Sequence, residues 1–335
     1  MKTRTRYFDT IKLLAIFVVF ITHFVASFNE DYFCYWKEPP TSYLLWGVSG
    51  KFGVVVFSVI LGYFAYRSSE KSIAKYTLKR YVYFVICGLF INSVYLICAR
   101  TGYIDANISI RHLIKTSLLL GSDIYPTFWC IQPFMLASFI SKVNGRFLAD
   151  KRWGIIVIAA EIAALIKFGH LWAGICLMGN LVYILENDKY VLRLISHRVV
   201  RIAIYLVFFF AIKRSSSDLT YIIDGAVCSM VLIALKKSTM LTGLLNNEAM
   251  ASAGRNTMAI YLIHNILYEA IGGAMISEAH FVPTFLAALV VSWAVIVLVS
   301  YPVTKLLDSV NRFCGKYIDK AFSLISPPEE AIEKQ

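Results

Sequence analysis

Ten stretches of this chain are apolar over roughly the length a bilayer requires, and that recurrence restricts the fold more than any other feature. They lie at about residues 8–28, 43–66, 79–99, 125–142, 153–168, 170–187, 199–213, 219–236, 256–276 and 284–308. A hydrocarbon core of about 30 Å takes roughly 20 residues of helix, and lipid offers no partner to an open sheet edge. The chain is 58% hydrophobic and only 16% charged over its 335 residues, far from the balance of a soluble domain. The expectation is an all-α, polytopic membrane protein of about ten transmembrane helices. A membrane-embedded domain would occupy residues 1–310, and 311–335 would form a short C-terminal tail. The stretch 110–120 is too short to span and suits an interfacial or re-entrant helix.

Lys and Arg in the connecting loops give an orientation. With the N-terminus in the cytoplasm, 23 of the 33 fall on the cytoplasmic side and 6 on the other, the rest lying in or at the edges of spans. That bias predicts that both termini are cytoplasmic and supports an even number of spans. The net charge of +12 is therefore read as positive-inside bias and not as a nucleic-acid surface, because it forms no patch. Lys2, Arg4 and Arg6 precede the first run as in a signal peptide, but Asp9, Lys12 and His23 interrupt or flank that run. Only Val25-Ala-Ser27 offers a weak cleavage site, so an uncleaved first span is expected. The seven cysteines form no C-x-x-C pair, which fits packing residues better than a disulfide framework or a metal site.

The first span carries an unusual stripe. Eleven residues of α-helix turn through about 1100°, so Lys12 and His23 lie within roughly 20° of one face and about 16 Å apart. Asp9, three residues before Lys12, joins them. Ionisable groups inside a span are costly and mark function by default. Counting along the helices places His23 about 24 Å beyond Tyr7, near the outer face, and His264 about 12 Å into the ninth span.

Transfer of a group to a hydroxyl needs a base for the hydroxyl proton and donors for the charge that develops on oxygen. His23 is the base candidate, since a neutral imidazole is available near pH 7. Asp9 would hold Lys12 by an ion pair. A donor that carries phosphates could be met by Lys12, Lys79 and Arg80 at the cytoplasmic mouth. Trp129 and Gln132 could line the acceptor or donor path, with a stacking face and a polar handle. Each has a plainer reading. Lys79 and Arg80 suit positive-inside anchors, Trp129 an interfacial belt, Lys51 a side chain reaching for outer headgroups, and His264 a bond between helices.

Lys12-x10-His23 with Asp9 before it resembles the acyltransferase-3 family of bacterial membrane acyltransferases. Lys51-Phe-Gly-Val-Val-Val-Phe-Ser-Val-Ile-Leu-Gly62 is similar to that family's second span, with Leu61 where Ser is usual. Phe128-Trp129-Cys-Ile-Gln132 resembles its fourth span, and Gly254-Arg-Asn256-Thr-Met-Ala-Ile-Tyr261-Leu-Ile-His264 its ninth. One departure is Lys79-Arg80-Tyr-Val-Tyr83, where Arg-x-x-Arg is common and Tyr83 stands in the second place. The resemblance implies an O-acetyltransferase of a bacterial cytoplasmic membrane. It would use acetyl-CoA or a related acyl donor to modify a cell-surface or lipid-linked saccharide. His23, Asp9 and Lys12 would be catalytic, and Lys51, Lys79, Arg80, Trp129, Gln132, Tyr261 and His264 would contact donor or acceptor.

Two other functions use the same residues. An exporter of polysaccharide or small solute would also need intramembrane Lys, Asp and His, but no internal repeat or paired broken helices appear. A scaffold held by polar contacts has no need of three ionisable groups along one face.

Overall fold

A computed structural model of the protein describes residues 6–32, 50–102, 109–120, 130–148, 153–211, 217–235, 238–277 and 280–325. Fourteen helices and no strands occur among the described residues. They are α1 (Arg6–Tyr32), α2 (Gly50–Tyr66), α3 (Ile73–Arg100), α4 (Ile110–Ser117), α5 (Ile131–Phe147), α6 (Trp153–Lys167) and α7 (Leu171–Leu185). There follow α8 (Lys189–Ser196), α9 (Arg198–Ala211), α10 (Asp218–Leu235), α11 (Thr239–Leu245), α12 (Glu248–Arg255), α13 (Thr257–Met275) and α14 (Phe281–Ile325).

Every expected span contains a helix. Four stretches, at 6–28, 73–100, 218–235 and 283–325, are long and apolar enough to cross a membrane, while α2 and α7 are apolar but shorter. The protein is a multi-pass, all-α membrane protein. Polar residues set the helix starts: Ser72 accepts from the Lys75 amide at 3.2 Å ahead of α3, and Asp188 and Asn247 cap α8 and α12 likewise.

Lipid tails are as apolar as leucine, so helices in a bilayer associate through close packing. Small residues supply it here. At the crossing of α2 and α7, Gly62 lies against the Cys176 carbonyl and Gly179 against the backbone of Val59 and Tyr63, with no room for a methyl group. Gly53 of α2 meets the Ala15 carbonyl of α1 in the same way. Two neighbouring cores result. One gathers α1, α3, α5, α13 and α14 around Phe20, Phe84, Ile131 and Ile260; the other gathers α2, α7 and α10 around Val59, Tyr63 and Leu177.

The short helix α4 docks on α3, where the buried Asn92 amide donates to Thr116 Oγ1 at 3.2 Å and Ser117 Oγ at 3.0 Å. Just after it, Leu119 adopts a left-handed backbone (φ 60°), and its carbonyl accepts from Gln132 Nε2 at 3.2 Å.

The last helix is longer than the sequence implied. Its 45 residues rise about 67 Å, against a hydrocarbon core of about 30 Å. The helix continues through most of the expected tail, as far as Ile325. Asp319 on this extension sits 2.8 Å from Lys75 and 2.7 Å from Lys79, tying the extension to the first turns of α3.

Candidate active site

Helices α1 and α13 run parallel, and two contacts at one offset show it. The rings of His23 and His264 stand 5.5 Å apart between centroids, and one turn further on Ser27 Oγ lies 3.0 Å from the Tyr268 hydroxyl. Both pairs are separated by 241 residues. Counting along spans separately places His23 near one face and His264 near the middle; in the structure they share one level. The reason lies at the start of the two helices. Gly254, just before α13, presses against the Asp9 carbonyl of α1, so α13 begins about two turns along α1 and not beside its first residue.

His264 is fully buried, and its Nδ1 lies 2.7 Å from the Tyr261 carbonyl. A carbonyl only accepts, so Nδ1 carries the proton and donates it. The tautomer leaves a lone pair on Nε2, which has no hydrogen-bond partner among the described residues. His23 is half-buried beside it. Around the pair stand Tyr261, whose ring is 5.8 Å from that of His264, and Tyr268 at 6.2 Å. The Tyr261 hydroxyl meets Cys130 Sγ at 3.1 Å. Phe20 and Trp293, 5.2 Å apart between centroids, close the wall towards α14. Two imidazoles, one with a fixed lone pair, in an aromatic enclosure form a unit suited to taking and returning a proton.

The other site candidates are dispersed. Asp9 and Lys12 form the expected ion pair at 2.7 Å, with side-chain exposures of 2% and 18%, so the carboxylate is fully enclosed and the lysine largely so, with a small opening to the outside. They share a face with His23 but remain about 16 Å (Lys12) and about 21 Å (Asp9) away along α1. Lys79 is engaged by Asp319, and Arg80 donates through Nε to the Tyr76 hydroxyl at 3.3 Å. Lys51, at the opposite end of the bundle, lies over the Tyr221 ring at 5.2 Å, beside Trp172. Gln132 is spent on the chain reversal at Leu119. Trp129 falls outside the described residues.

Some residues of the site escaped the sequence reading. Ser27 and Tyr268 lie one turn beyond the two histidines, a spacing that could have flagged them. No spacing pointed to a cavity of about 310 Å³ bounded by Tyr83, Arg255, Asn256, Thr304, Leu307 and Asp308, between α3, α13 and α14. It lies at the end of the bundle where Gly254 meets Asp9.

Comparison with protein families matches residues 5–301 to the acyltransferase domain of the acyltransferase-3 family. The chain belongs to that family. Membership makes it a membrane acyltransferase in general terms. The match begins just before α1, takes in both histidines and ends at Tyr301, so the extension of α14 that carries Asp308 and Asp319 lies beyond it. No curated protein and no solved structure matches significantly.

Proposed function

We propose that this acyltransferase moves an acetyl or related acyl group from cytoplasmic acyl-CoA to a hydroxyl of a cell-surface or lipid-linked saccharide. It would do so across ten spans in the cytoplasmic membrane of a bacterium, with both termini inside. The observation that carries the reading is the His23–His264 pair, an intramembrane proton acceptor held by two packed helices in a member of an acyltransferase family.

In the proposed reaction His23 takes the proton of the acceptor hydroxyl, with the fixed lone pair of His264 beside it as a second acceptor. The hydroxyl oxygen attacks the thioester carbonyl and forms a carbon–oxygen bond. The tetrahedral intermediate then breaks its carbon–sulfur bond, releasing the coenzyme A thiolate, which recovers the proton from the imidazole. Ester and free thiol leave. Asp9 and Lys12 act at the donor's end of the path, since the ammonium is partly open and its carboxylate partner keeps it in place.

The test uses protein in nanodiscs with radiolabelled acetyl-CoA and a crude extract of surface glycans. Wild type is expected to label the glycan, while His23→Ala, eluting and melting as wild type does, is expected to lose transfer by about 10²-fold or more. Transfer by His23→Ala at the wild-type rate would refute the role of His23. Failure of wild type to consume any acyl-CoA would refute the enzyme reading and favour the exporter.

A further inference from the structure

The cavity between α3, α13 and α14 takes no part in the chemistry above, and its lining, open to the surface at Arg255 and Asp308, is rich in polar groups. Arg255 ends α12 and Asn256 caps the junction with α13, Tyr83 comes from α3, and Thr304 and Asp308 from α14 just beyond Pro302. The hydroxyl of Thr304 is buried without a hydrogen-bond partner among the described residues. Arg255 also meets one oxygen of Glu248 at 3.4 Å, while Arg6 holds the other at 2.9 Å. The guanidinium, 38% exposed, faces both Glu248 and the cavity. A cation, a carboxylate, an amide, a phenol ring and a spare hydroxyl around one space suit a ligand that mixes an anion with hydrogen-bonding edges. A bare anion would meet Asp308 as a repelling charge.

Size and distance narrow the choice. About 310 Å³ is at the small end of ligand sites, which run from roughly 300 to 1,000 Å³, so one nucleoside-sized piece fits and a whole acyl-CoA does not. From Thr257 at the start of α13 to His264 is seven residues, a rise of about 10.5 Å, and Arg255 lies just before that start across the Asn256 cap. The arm between the diphosphate and the sulfur of coenzyme A is on the order of 15 Å when extended, judged from backbone bond lengths. With its nucleotide in the cavity, the donor's thioester would stand at the level of the imidazoles.

We propose that this cavity binds the adenosine bisphosphate end of the acyl donor, with Arg255 on a phosphate and Asp308 accepting from the N–H edge of the base. The inference rests on the acyl-CoA reading above and adds a nucleotide subsite to it. Lys79 and Arg80, which the sequence offered for the phosphates, are occupied by Asp319 and Tyr76. Arg255 takes that role beside Tyr83.

The experiment measures binding of adenosine 3′,5′-bisphosphate, a fragment without an acyl group, to full-length protein in zwitterionic nanodiscs. Turnover of acetyl-CoA and of acetyl-pantetheine is followed in parallel. Arg255→Gln is expected to weaken the fragment and raise KM for acetyl-CoA by about tenfold or more, the worth of a charge-assisted hydrogen bond. It should leave KM for acetyl-pantetheine unchanged. Asp308→Asn is expected to weaken the fragment as well, whereas a site for phosphate alone would bind more tightly once the repelling carboxylate is gone. Thr304→Val supplies a milder variant should Arg255→Gln fail to fold, and a several-fold loss of fragment binding is expected.

Unchanged fragment binding in Arg255→Gln, or KM values that rise together for both donors, would overturn the proposal. So would displacement of the fragment by anionic lipid at equal potency, which would assign the cavity to a headgroup. Fragment binding that depends on Arg255, in a protein that consumes neither donor, would leave the nucleotide cavity standing and remove the transfer reading instead.

Discussion

The contact between Gly254 and the Asp9 carbonyl sets the register of α13 against α1, and it can be tested with one methyl group. A Cβ at Gly254 would overlap that carbonyl oxygen, and neither backbone can rotate away as a side chain would. Restoring ordinary contact requires the two helices to part by more than about 1 Å at that point. Asp9 is buried and tied to Lys12, so α1 moves as a unit. His264 lies beyond the Asn256 junction of α12 and α13, seven residues or about 10.5 Å into α13, so a displaced α12 shifts the start of the helix that carries it. A misplacement of about 1 Å at reacting groups costs on the order of 10²-fold in rate. Gly254→Ala is therefore expected to lower kcat about 10²-fold with little change in KM, and to cost roughly 1–3 kcal/mol of stability through overpacking. Gly273→Ala, on α13 itself with open space where its methyl group would lie, is the control. It should keep full activity and gain up to about 1 kcal/mol from helix propensity. Turnover in nanodiscs and thermal melts in detergent give both quantities. Activity of Gly254→Ala within twofold of wild type would refute the claim that this contact positions the histidines.

The packing sets three further outcomes. Asp9→Asn leaves the Lys12 ammonium largely enclosed without its carboxylate, and should cost about 3 kcal/mol, seen as a melting point lower by several degrees; Asp9→Asn with Lys12→Met should recover most of that stability. Asn92→Ala removes two hydrogen bonds that dock α4, at about 1–3 kcal/mol, and should speed trypsin cleavage at Arg111 and Lys115 without lowering the global melt by more than a few degrees. Asp319→Asn breaks contacts to Lys75 and Lys79 that are open to solvent, and its melting point should match wild type, in high salt as in low.

The helices were legible in the sequence because repeated apolar runs near bilayer length leave a chain almost no fold except a helical bundle in lipid. The Asp9–Lys12 pair was legible too, since three residues on a helix fix the two side chains as neighbours. The meeting of His23 and His264 was not. It depends on how far α13 is shifted along α1, and that shift is set by a glycine against a carbonyl, a contact that leaves no side-chain pattern. The count of residues from the end of each span carried an error of about two turns for the same reason. Lys79 illustrates a different limit. Its partner Asp319 lies on a helical extension where the sequence suggested a tail, so a lysine that looked available for phosphate is engaged in the fold. The cavity arises where three helices diverge, and divergence has no local signature.

The shared level of His23 and His264 has an energetic consequence. On the proposed reaction, the proton lost by the acceptor hydroxyl ends on the thiol of coenzyme A, and both transfers occur within one layer of the membrane. No charge needs to traverse the bilayer in a turnover. Such an enzyme would work electrically silent, its rate indifferent to an imposed membrane potential, and modification at the surface would draw on the thioester alone and not on the proton gradient.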